Sequence, residues 1–208
     1  MSISLRPVHV SGSRDKIIAA ATSLFAAGGF KGTTTRMIAE LAQVNEALIY
    51  RHFPNKQGLY AAIIEKKIQT LTPLLRRLER APEASESPAT VLREIARAMF
   101  ASVEDDPQFL RIFYFSGLEG HDLSAMFFET YIQKFNQCLG SYIHSKCREG
   151  VFRRIDPLLA ARAFTGLIRH YLVVQTLFPE TLREFDAEKE IDGLVDLFLH
   201  GVVRQPLG

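Results

Sequence analysis

Apolar residues recur every three to four positions along most of the chain, which is the spacing of an amphipathic helix. In the first third, the predicted helices run from Arg14 to Gly28-Gly29, for about two turns between Thr33 and Gln43, over about 45–52, and from Lys56 to about Glu79. Further helices are predicted at about 89–104, 107–117, 121–149, 156–178 and 187–204. No segment has the period-two alternation of a strand, so the sequence predicts an all-α fold.

Local signals mark where these helices begin and end. The threonines at 33–35 offer hydroxyl N-caps for the second helix, and Asn45 offers one for the third. Pro54 disfavours helical geometry in the residue before it and so ends the third helix. The stretch 80–90, rich in Pro, Ser and Glu, is the clearest loop. We predict a disordered tail at 1–13, a small helical domain at 14–60 and a larger one at 61–208.

Positive charge is concentrated at the N-terminal end. Residues 1–60 hold 7 Lys/Arg and 3 Asp/Glu, whereas the remaining residues hold 18 and 20. A basic end on an otherwise balanced chain is typical of a surface that faces nucleic acid, although such an excess also arises by chance.

Composition also bears on compartment and cofactors. No apolar run approaches the roughly 20 residues of a membrane span, and the first residues lack the apolar core of a signal peptide. The two cysteines, Cys138 and Cys147, have no zinc-site spacing, and their positions within one predicted helix disfavour a disulfide. We therefore expect a cytoplasmic protein with no membrane partner, no metal and no cofactor.

The two short helices on either side of Gln43 form a helix-turn-helix pattern, whose second helix enters the major groove of DNA. The start of that helix would face base edges, where Glu46 suits the amino group of cytosine and Ala47 the methyl group of thymine. Its end would face backbone phosphates. The predicted DNA contacts are Thr35, Arg36, Asn45, Glu46, Ala47, Tyr50, His52 and Lys56. The alternative is that the Tyr-x-His ending is surface packing in an ordinary helical bundle.

A longer set of spaced residues carries a resemblance to a known family. These residues are Ala20, Leu24, Phe25, Gly29-Phe30, Thr33-Thr34, Ile38-Ala39, Ala42, Val44, Leu48, Tyr50, His52-Phe53, Lys56 and Leu59-Tyr60. With them, residues 14–60 resemble the N-terminal domain of the TetR/AcrR family of transcriptional regulators. The resemblance implies that Thr35, Arg36, Glu46, Ala47, Tyr50, His52 and Lys56 face DNA.

The chain departs from the family pattern at two positions. Gln43 occupies the turn position where the family usually has glycine, so the turn has to form without glycine's conformational freedom. Glu46 is acidic where the family often has a basic or small residue. Its carboxylate is therefore either a specific contact to a base or a penalty against phosphate.

Aromatic residues are concentrated in two neighbouring predicted helices of the larger domain. An apolar pocket lined by aromatic side chains is the usual small-molecule site, and polar groups in the helix at 156–178 would orient a ligand there. The predicted ligand contacts are Phe109, Phe113, Phe127, Tyr131, Arg169, His170, Tyr171 and Gln175. The alternative for each is an ordinary core position, and a lone histidine such as His170 is more often structural.

The last two predicted helices have more apolar positions than one face requires, for example Phe164 and Leu167 in one and Leu194 and Phe198 in the other. Similar helices in the family form a four-helix dimer interface. A two-fold homodimer would present two recognition helices to a pseudo-palindromic DNA operator.

These features predict a DNA-binding transcriptional regulator, and specifically a repressor whose operator binding is relieved by a small apolar effector. An enzyme is not supported, because the sequence has no metalloprotease motif, di-iron motif, phosphate-binding loop or nucleophile elbow. The alternatives are an activator and a helical interaction module that has lost DNA binding.

Overall fold

The computed structural model describes residues 12–83, 86–120, 122–179 and 186–202, and every regular element within these ranges is a helix. In chain order these are α1 (Ser13–Gly32), α2 (Thr35–Ala42), α3 (Glu46–His52), α4 (Lys56–Arg80), a 3₁₀ turn (Ala81–Glu83), α5 (Pro88–Glu104), α6 (Pro107–Leu118), α7 (Asp122–Phe127), α8 (Gln133–Arg148), α9 (Pro157–Leu177) and α10 (Ala187–Val202). The all-α prediction is confirmed. The predicted tail lies outside the described residues except for Gly12 and Ser13, and Ser13 already belongs to α1.

The first helix, predicted to end at Gly28-Gly29, instead has a kink at Gly29, which has φ 69° and ψ −179°. Three more residues follow in α1 beyond this kink. The kink places the Phe30 ring against Phe25 and Tyr60, with ring centroids 5.7 and 5.4 Å away. Because Tyr60 belongs to α4, this aromatic cluster holds the end of α1 against the start of α4.

The helix-turn-helix has the caps that its sequence predicts. The hydroxyl of Thr34 accepts a hydrogen bond from the backbone N–H of Met37 at 3.2 Å. The side-chain oxygen of Asn45 accepts one from Leu48 N–H at 2.8 Å. Between the two helices, Gln43 adopts the left-handed conformation, with φ 56° and ψ 46°. A non-glycine residue therefore forms the family's turn, at a cost of roughly 1–2 kcal/mol.

The long helix α4 runs through Pro73 and through the predicted domain boundary at residue 60. Its first half contributes Leu59, Tyr60 and Ile63 to the buried core beneath the helix-turn-helix. Its second half packs against α8 in the larger helical region. The division into domains at 14–60 and 61–208 therefore stays a prediction.

The segment predicted as a single helix at 121–149 has a break in its regularity. A π-helical turn over Phe128–Ile132 separates α7 from α8, and residue 121 is not described. The wider turn brings Tyr131 and Ile132 into the core, and the Tyr131 hydroxyl donates to the carbonyl of Leu71 at 3.3 Å. Such turns have no signature in hydrophobic spacing, since they add one residue to an otherwise regular helix.

The apolar stripes of α9 and α10 face inward for the most part. Phe164 of α9 and Phe198 of α10 are buried, and their rings are in edge contact at a centroid distance of 5.0 Å. The helices α8 and α9 approach closely at Gly140, where an added Cβ would lie 3.5 Å from the carbonyl oxygen of Pro157. Most of the positions predicted for a dimer interface thus belong to the core of the chain itself, and Leu167 is an exception that remains exposed.

Candidate functional site

The structure brings three of the predicted DNA contacts together where the start of α2 meets α3. The Thr35 hydroxyl donates to the Glu46 carboxylate at 2.5 Å and lies 3.2 Å from the Tyr50 hydroxyl. The acid that departs from the family pattern is therefore engaged within the protein and links α2 to α3.

Three other predicted contacts lie on the same two helices. Arg36 is largely exposed, and its guanidinium pairs with Glu40 one turn along α2 at 3.0 Å. Ala47 is exposed on α3. Asn45 uses its side-chain oxygen to cap α3. We define the recognition surface as Thr35, Arg36, Glu46, Ala47 and Tyr50, whose side chains lie along the outside of α2 and α3.

The remaining two predicted DNA contacts have partners inside the protein. The imidazole Nε2 of His52 lies 2.9 Å from the Ser13 hydroxyl, so it links α3 to the start of α1. The ammonium of Lys56 donates to the carbonyl oxygens of Phe30 and Thr33, each at 2.8 Å. The pKa of Lys56 lies below its ordinary value because the group is partly buried, and the nearby carboxylate of Glu119 offsets part of this shift. This lysine therefore ties the end of α1 and the residue that follows it to α4.

A cavity of about 120 Å³ lies within the larger helical region. It is bounded by α4, α5, α6, α9 and the π-helical turn with its flanking helices. Most of its wall is apolar: Leu71, Leu74, Met99, Val103, Phe109, Leu110, Phe113, Phe127, Ile132, Phe135 and Leu172. An engineered apolar cavity of about 150 Å³ binds benzene, so a cavity of this kind suits a compound with a small apolar body.

Charged side chains interrupt the apolar wall of the cavity. Lys67 of α4 is 8% exposed, and its ammonium donates to the carbonyl oxygen of Ser102 at 2.8 Å. It also lies 3.5 Å from a carboxylate oxygen of Asp106 and 5.2 Å from the centre of the Phe109 ring. The pKa of Lys67 lies below its ordinary value because the group is buried, and the Asp106 carboxylate offsets part of this shift. Arg169 of α9 is the second cation of the wall.

Five of the eight predicted ligand contacts line this cavity: Phe109, Phe113, Phe127, Tyr131 and Arg169. Phe127 joins three of them, with ring centroids 5.0 Å from Phe109, 5.5 Å from Phe113 and 5.6 Å from Tyr131. The other three, His170, Tyr171 and Gln175, are not part of the wall. His170 is exposed, and Tyr171 packs against Phe100 at 6.0 Å. Successive side chains on an α-helix point about 100° apart, so the residues next to Arg169 in the chain do not face the cavity.

Two known protein families together match most of the chain. The family described as "Bacterial regulatory proteins, tetR family" matches residues 17–63. The C-terminal domain described as "AefR-like transcriptional repressor" matches residues 90–201. The chain belongs to the TetR family of bacterial regulatory proteins.

Relatives and solved structures agree with the TetR assignment. The HTH-type transcriptional regulator YhgD of Bacillus subtilis is 30% identical over 192 residues, which cover 88% of this chain and 92% of that protein. The structure of the ketosteroid transcriptional regulator KstR2 of Mycobacterium tuberculosis has a TM-score of 0.72 at 20% identity and covers 95% of this chain and 98% of its own. FadR of Bacillus subtilis in complex with stearoyl-CoA has a TM-score of 0.71 at 16% identity and covers 89% and 97%.

Membership of the TetR family confirms that the protein is a DNA-binding transcriptional regulator rather than an enzyme. None of the helices in the described ranges is long and apolar enough to cross a membrane. Both cysteines have free thiols. Among the described residues, no cluster of His, Cys, Asp or Glu has the arrangement of a metal site.

Sequence reasoning missed the charged pair in the wall of this TetR-family cavity. Lys67 follows Ile63 and Ile64 by four and three residues and precedes Leu71 by four, so helical spacing places it on the apolar face of α4. A lysine at such a position is the signal that could have identified it. Asp106 gives no comparable signal, because its N-cap position before Pro107 already accounts for an aspartate.

The helix α6 connects the cavity to the DNA-binding region of this regulator. One side contributes Phe109, Leu110 and Phe113 to the cavity wall. Elsewhere on the helix, Arg111 donates to the carbonyl oxygen of Ala26 in α1 at 3.1 Å. At the end of α6, the Glu119 carboxylate accepts from the backbone N–H of Phe30 at 3.0 Å. Sequence analysis did not predict this connection, which depends on contacts between residues about 85–89 positions apart.

Proposed function

We propose that this TetR-family regulator is a repressor whose binding to operator DNA is relieved when a small molecule with an apolar body occupies the cavity. The domain at 14–60 binds DNA, and the domain at 61–208 binds the effector and a second copy of the chain. The observation that carries the proposal is the position of α6, which lines the cavity and is hydrogen-bonded to α1.

The recognition surface is the proposed contact with DNA. Arg36 supplies a positive charge for a phosphate, and the exposed Tyr50 hydroxyl supplies a neutral hydrogen-bonding group. The Thr35 hydroxyl donates to Glu46 and so holds α2 against α3. Ala47 is exposed at the start of α3, where a small side chain allows close approach to a base edge. Asn45 contributes by fixing the start of α3, and His52 and Lys56 contribute by fixing the position of the helix-turn-helix against α1.

The proposed effect of the ligand is a shift between two protein states. A ligand weakens DNA binding only if it binds the DNA-competent state less tightly than the other state. A compound packed against Phe109 and Phe113 displaces α6 if it is larger than the space between the helices. Arg111 and Glu119 then move the end of α1, and with it the helix-turn-helix.

The proposed dimer interface is the exposed face of α9 and α10. Leu159, Leu167 and Leu197 are 61%, 41% and 68% exposed there. Small residues lie on the same helices and allow close helix approach: Ala163, Gly166, Gly193 and Gly201. Leu197→Arg would place a charge in this interface and is expected to give a monomer by light scattering. Leu118→Arg changes an exposed leucine at the end of α6 and is expected to leave the dimer intact.

The direct test is DNA binding by the purified protein to the region upstream of its own gene, measured by fluorescence anisotropy over a range of salt concentrations. Single compounds are then added from a panel of monocyclic aromatic and short aliphatic alcohols, acids and amines. We expect salt-sensitive binding, loss of binding in Tyr50→Ala, and release of DNA by at least one compound.

Each contrary result has a separate meaning. Tighter DNA binding on addition of a compound would contradict relief of repression and favour a ligand-activated DNA binder. Failure of a folded dimer to bind any fragment would favour the interaction-module alternative. A folded Tyr50→Ala variant that binds DNA as tightly as the wild type would contradict the proposed recognition surface.

A further inference from the structure

We propose that the effector is a small apolar carboxylate, an anion whose apolar body fills the aromatic part of the cavity and whose charged group pairs with Lys67 and Arg169. This inference rests on the proposed function, because it specifies the chemical class of ligand for the same cavity. It is carried by the charges of the wall, which is lined by two cations, Lys67 and Arg169, and by one carboxylate, Asp106.

The Lys67 ammonium can donate a hydrogen bond to a ligand in addition to the one that it donates within the protein. Its ammonium has three donors, one of which is used by the carbonyl oxygen of Ser102. The Asp106 carboxylate is 3.5 Å away, which is long for a charged hydrogen bond. A ligand carboxylate at the cavity wall would therefore find a buried cation that is only partly satisfied by its protein partners.

Asp106 is held by the fold and does not cancel both cations. One of its oxygens accepts from the backbone N–H of Phe109 at 3.2 Å and so caps α6. The other oxygen faces Lys67. Within the described residues, Arg169 has neither an ion pair nor a hydrogen bond, so its charge stays uncompensated by the protein. The wall thus carries a net positive charge that an anion would neutralise.

The aromatic side chains alone would suit a different ligand. Phe109, Phe127 and Tyr131 form the kind of aromatic surface that binds organic cations. A cationic ligand in this cavity would lie beside Lys67 and Arg169, and like charges in a low-dielectric site repel strongly. A neutral ligand would leave Arg169 without a counter-ion among the described residues, and Lys67 with only its contacts to Ser102 and Asp106. The charges of the wall therefore select the carboxylate.

Three compounds of nearly equal shape separate these possibilities: 3-phenylpropionate, 3-phenylpropanol and 3-phenylpropylammonium. Their dissociation constants are measured by calorimetry on the full-length protein. We expect the carboxylate to bind about tenfold or more tightly than the alcohol, as a charge-assisted hydrogen bond at a buried site allows. The ammonium compound is expected to bind most weakly.

Two substitutions change the charge of the wall in opposite directions. Lys67→Met keeps the length and apolar stem of the side chain and should reduce carboxylate affinity about tenfold while leaving the alcohol within about threefold. Asp106→Asn keeps an N-cap residue for α6 and should strengthen carboxylate binding. Asp106→Asn is expected to gain affinity for the carboxylate, so the proposal can still be tested if the Lys67→Met protein does not fold.

The outcomes distinguish this inference from the proposed function. Equal or tighter binding of the alcohol or the ammonium compound would overturn the carboxylate inference and leave the cavity as an effector site. Asp106→Asn binding the carboxylate no more tightly than the wild type would also overturn it. If none of the three compounds binds, the carboxylate inference fails, and the proposed function stands only if another compound of the wider panel binds and releases DNA.

Discussion

The carboxylate of Glu119 at the end of α6 accepts a hydrogen bond from the backbone N–H of Phe30 at 3.0 Å, immediately after the kink in α1. The same carboxylate accepts from Lys31 N–H at 3.3 Å. Two consecutive N–H groups of the segment before the helix-turn-helix thus donate to the two oxygens of one carboxylate, at the end of a helix of the cavity wall. This contact fixes the geometry at Gly29 and links the two regions.

The first prediction concerns Gly29, which has a positive φ and lies directly beneath Glu119. An added Cβ would be 2.6 Å from the nearest oxygen of that carboxylate, and the backbone conformation is one that only glycine adopts easily. We expect Gly29→Ala to lower the free energy of unfolding by about 1–3 kcal/mol. The neighbouring Gly28 is exposed and has no strained backbone angle. Gly28→Ala should therefore leave the thermal midpoint unchanged or raise it; equal losses in both variants would contradict this account of the kink.

The second prediction concerns Arg36 as a phosphate contact. Arg36→Gln should weaken binding to all DNA sequences. It should also reduce the slope of the logarithm of affinity against the logarithm of salt concentration by about one. Arg76 is an exposed arginine on α4, far along the chain from the helix-turn-helix. Arg76→Gln removes the same charge and should leave the salt dependence unchanged. The same salt dependence in Arg36→Gln and the wild type would remove Arg36 from the recognition surface.

The third prediction assigns Lys56 to stability. Lys56→Met removes a charged donor from the carbonyl oxygens of Phe30 and Thr33 and should cost about 1–3 kcal/mol in chemical denaturation. Lys66→Met, at an exposed position of α4, is the matched control and should have little effect. If Lys56→Met keeps full stability but loses DNA affinity, the lysine contacts phosphate, as the family resemblance implies.

The fourth prediction is a loss of stability at alkaline pH in which Tyr60 takes part. Burial raises the pKa of Tyr60 to about 12, and its hydroxyl donates to the carbonyl oxygen of Ile112 at 3.2 Å. An unfolded tyrosine ionises near pH 10, so between about pH 10 and 12 the unfolded state releases a proton that the folded state keeps. Stability therefore falls with rising pH in this window.

The Tyr60→Phe variant isolates this contribution. Denaturation midpoints are compared at pH 8, where no tyrosine ionises, and at about pH 11. The wild type should lose about 1 kcal/mol more than Tyr60→Phe between these pH values, because one shifted tyrosine contributes up to about 1.4 kcal/mol per pH unit. The same loss in both proteins would mean that Tyr60 ionises in the folded state as readily as in the unfolded state.

The sequence predicted the features that depend on local chemistry. The caps at Thr34 and Asn45 and the end of α3 before Pro54 follow from residues within a few positions of each other. Among the described residues, apolar spacing predicted the α-helices, with α7 and α8 merged into one, but it missed the 3₁₀ turn at Ala81–Glu83 and the π-helical turn at Phe128–Ile132.

The direction of individual side chains was harder to predict. Lys56 was expected to reach outward to DNA, but tertiary contacts with the end of α1 turn it inward. His170 was expected to face a ligand, but its position on α9 leaves it exposed. Lys67 was not identified, although it is the most deeply buried charged group in the cavity wall. The direction of Lys56 depends on contacts between helices that are distant in the chain, whereas the apolar spacing of α4 already carried a signal for Lys67.

The central claim is that occupancy of the cavity weakens DNA binding through α6, and a cavity-filling substitution tests it without a known ligand. Val103→Phe adds a ring to the α5 side of the wall and replaces none of the residues through which α6 contacts α1. Val151→Phe adds the same ring at an exposed position outside the cavity. We predict that Val103→Phe binds operator DNA about fivefold or more weakly than the wild type and Val151→Phe, at unchanged secondary structure. Equal DNA affinity of all three proteins, with a folded Val103→Phe variant, would contradict the account.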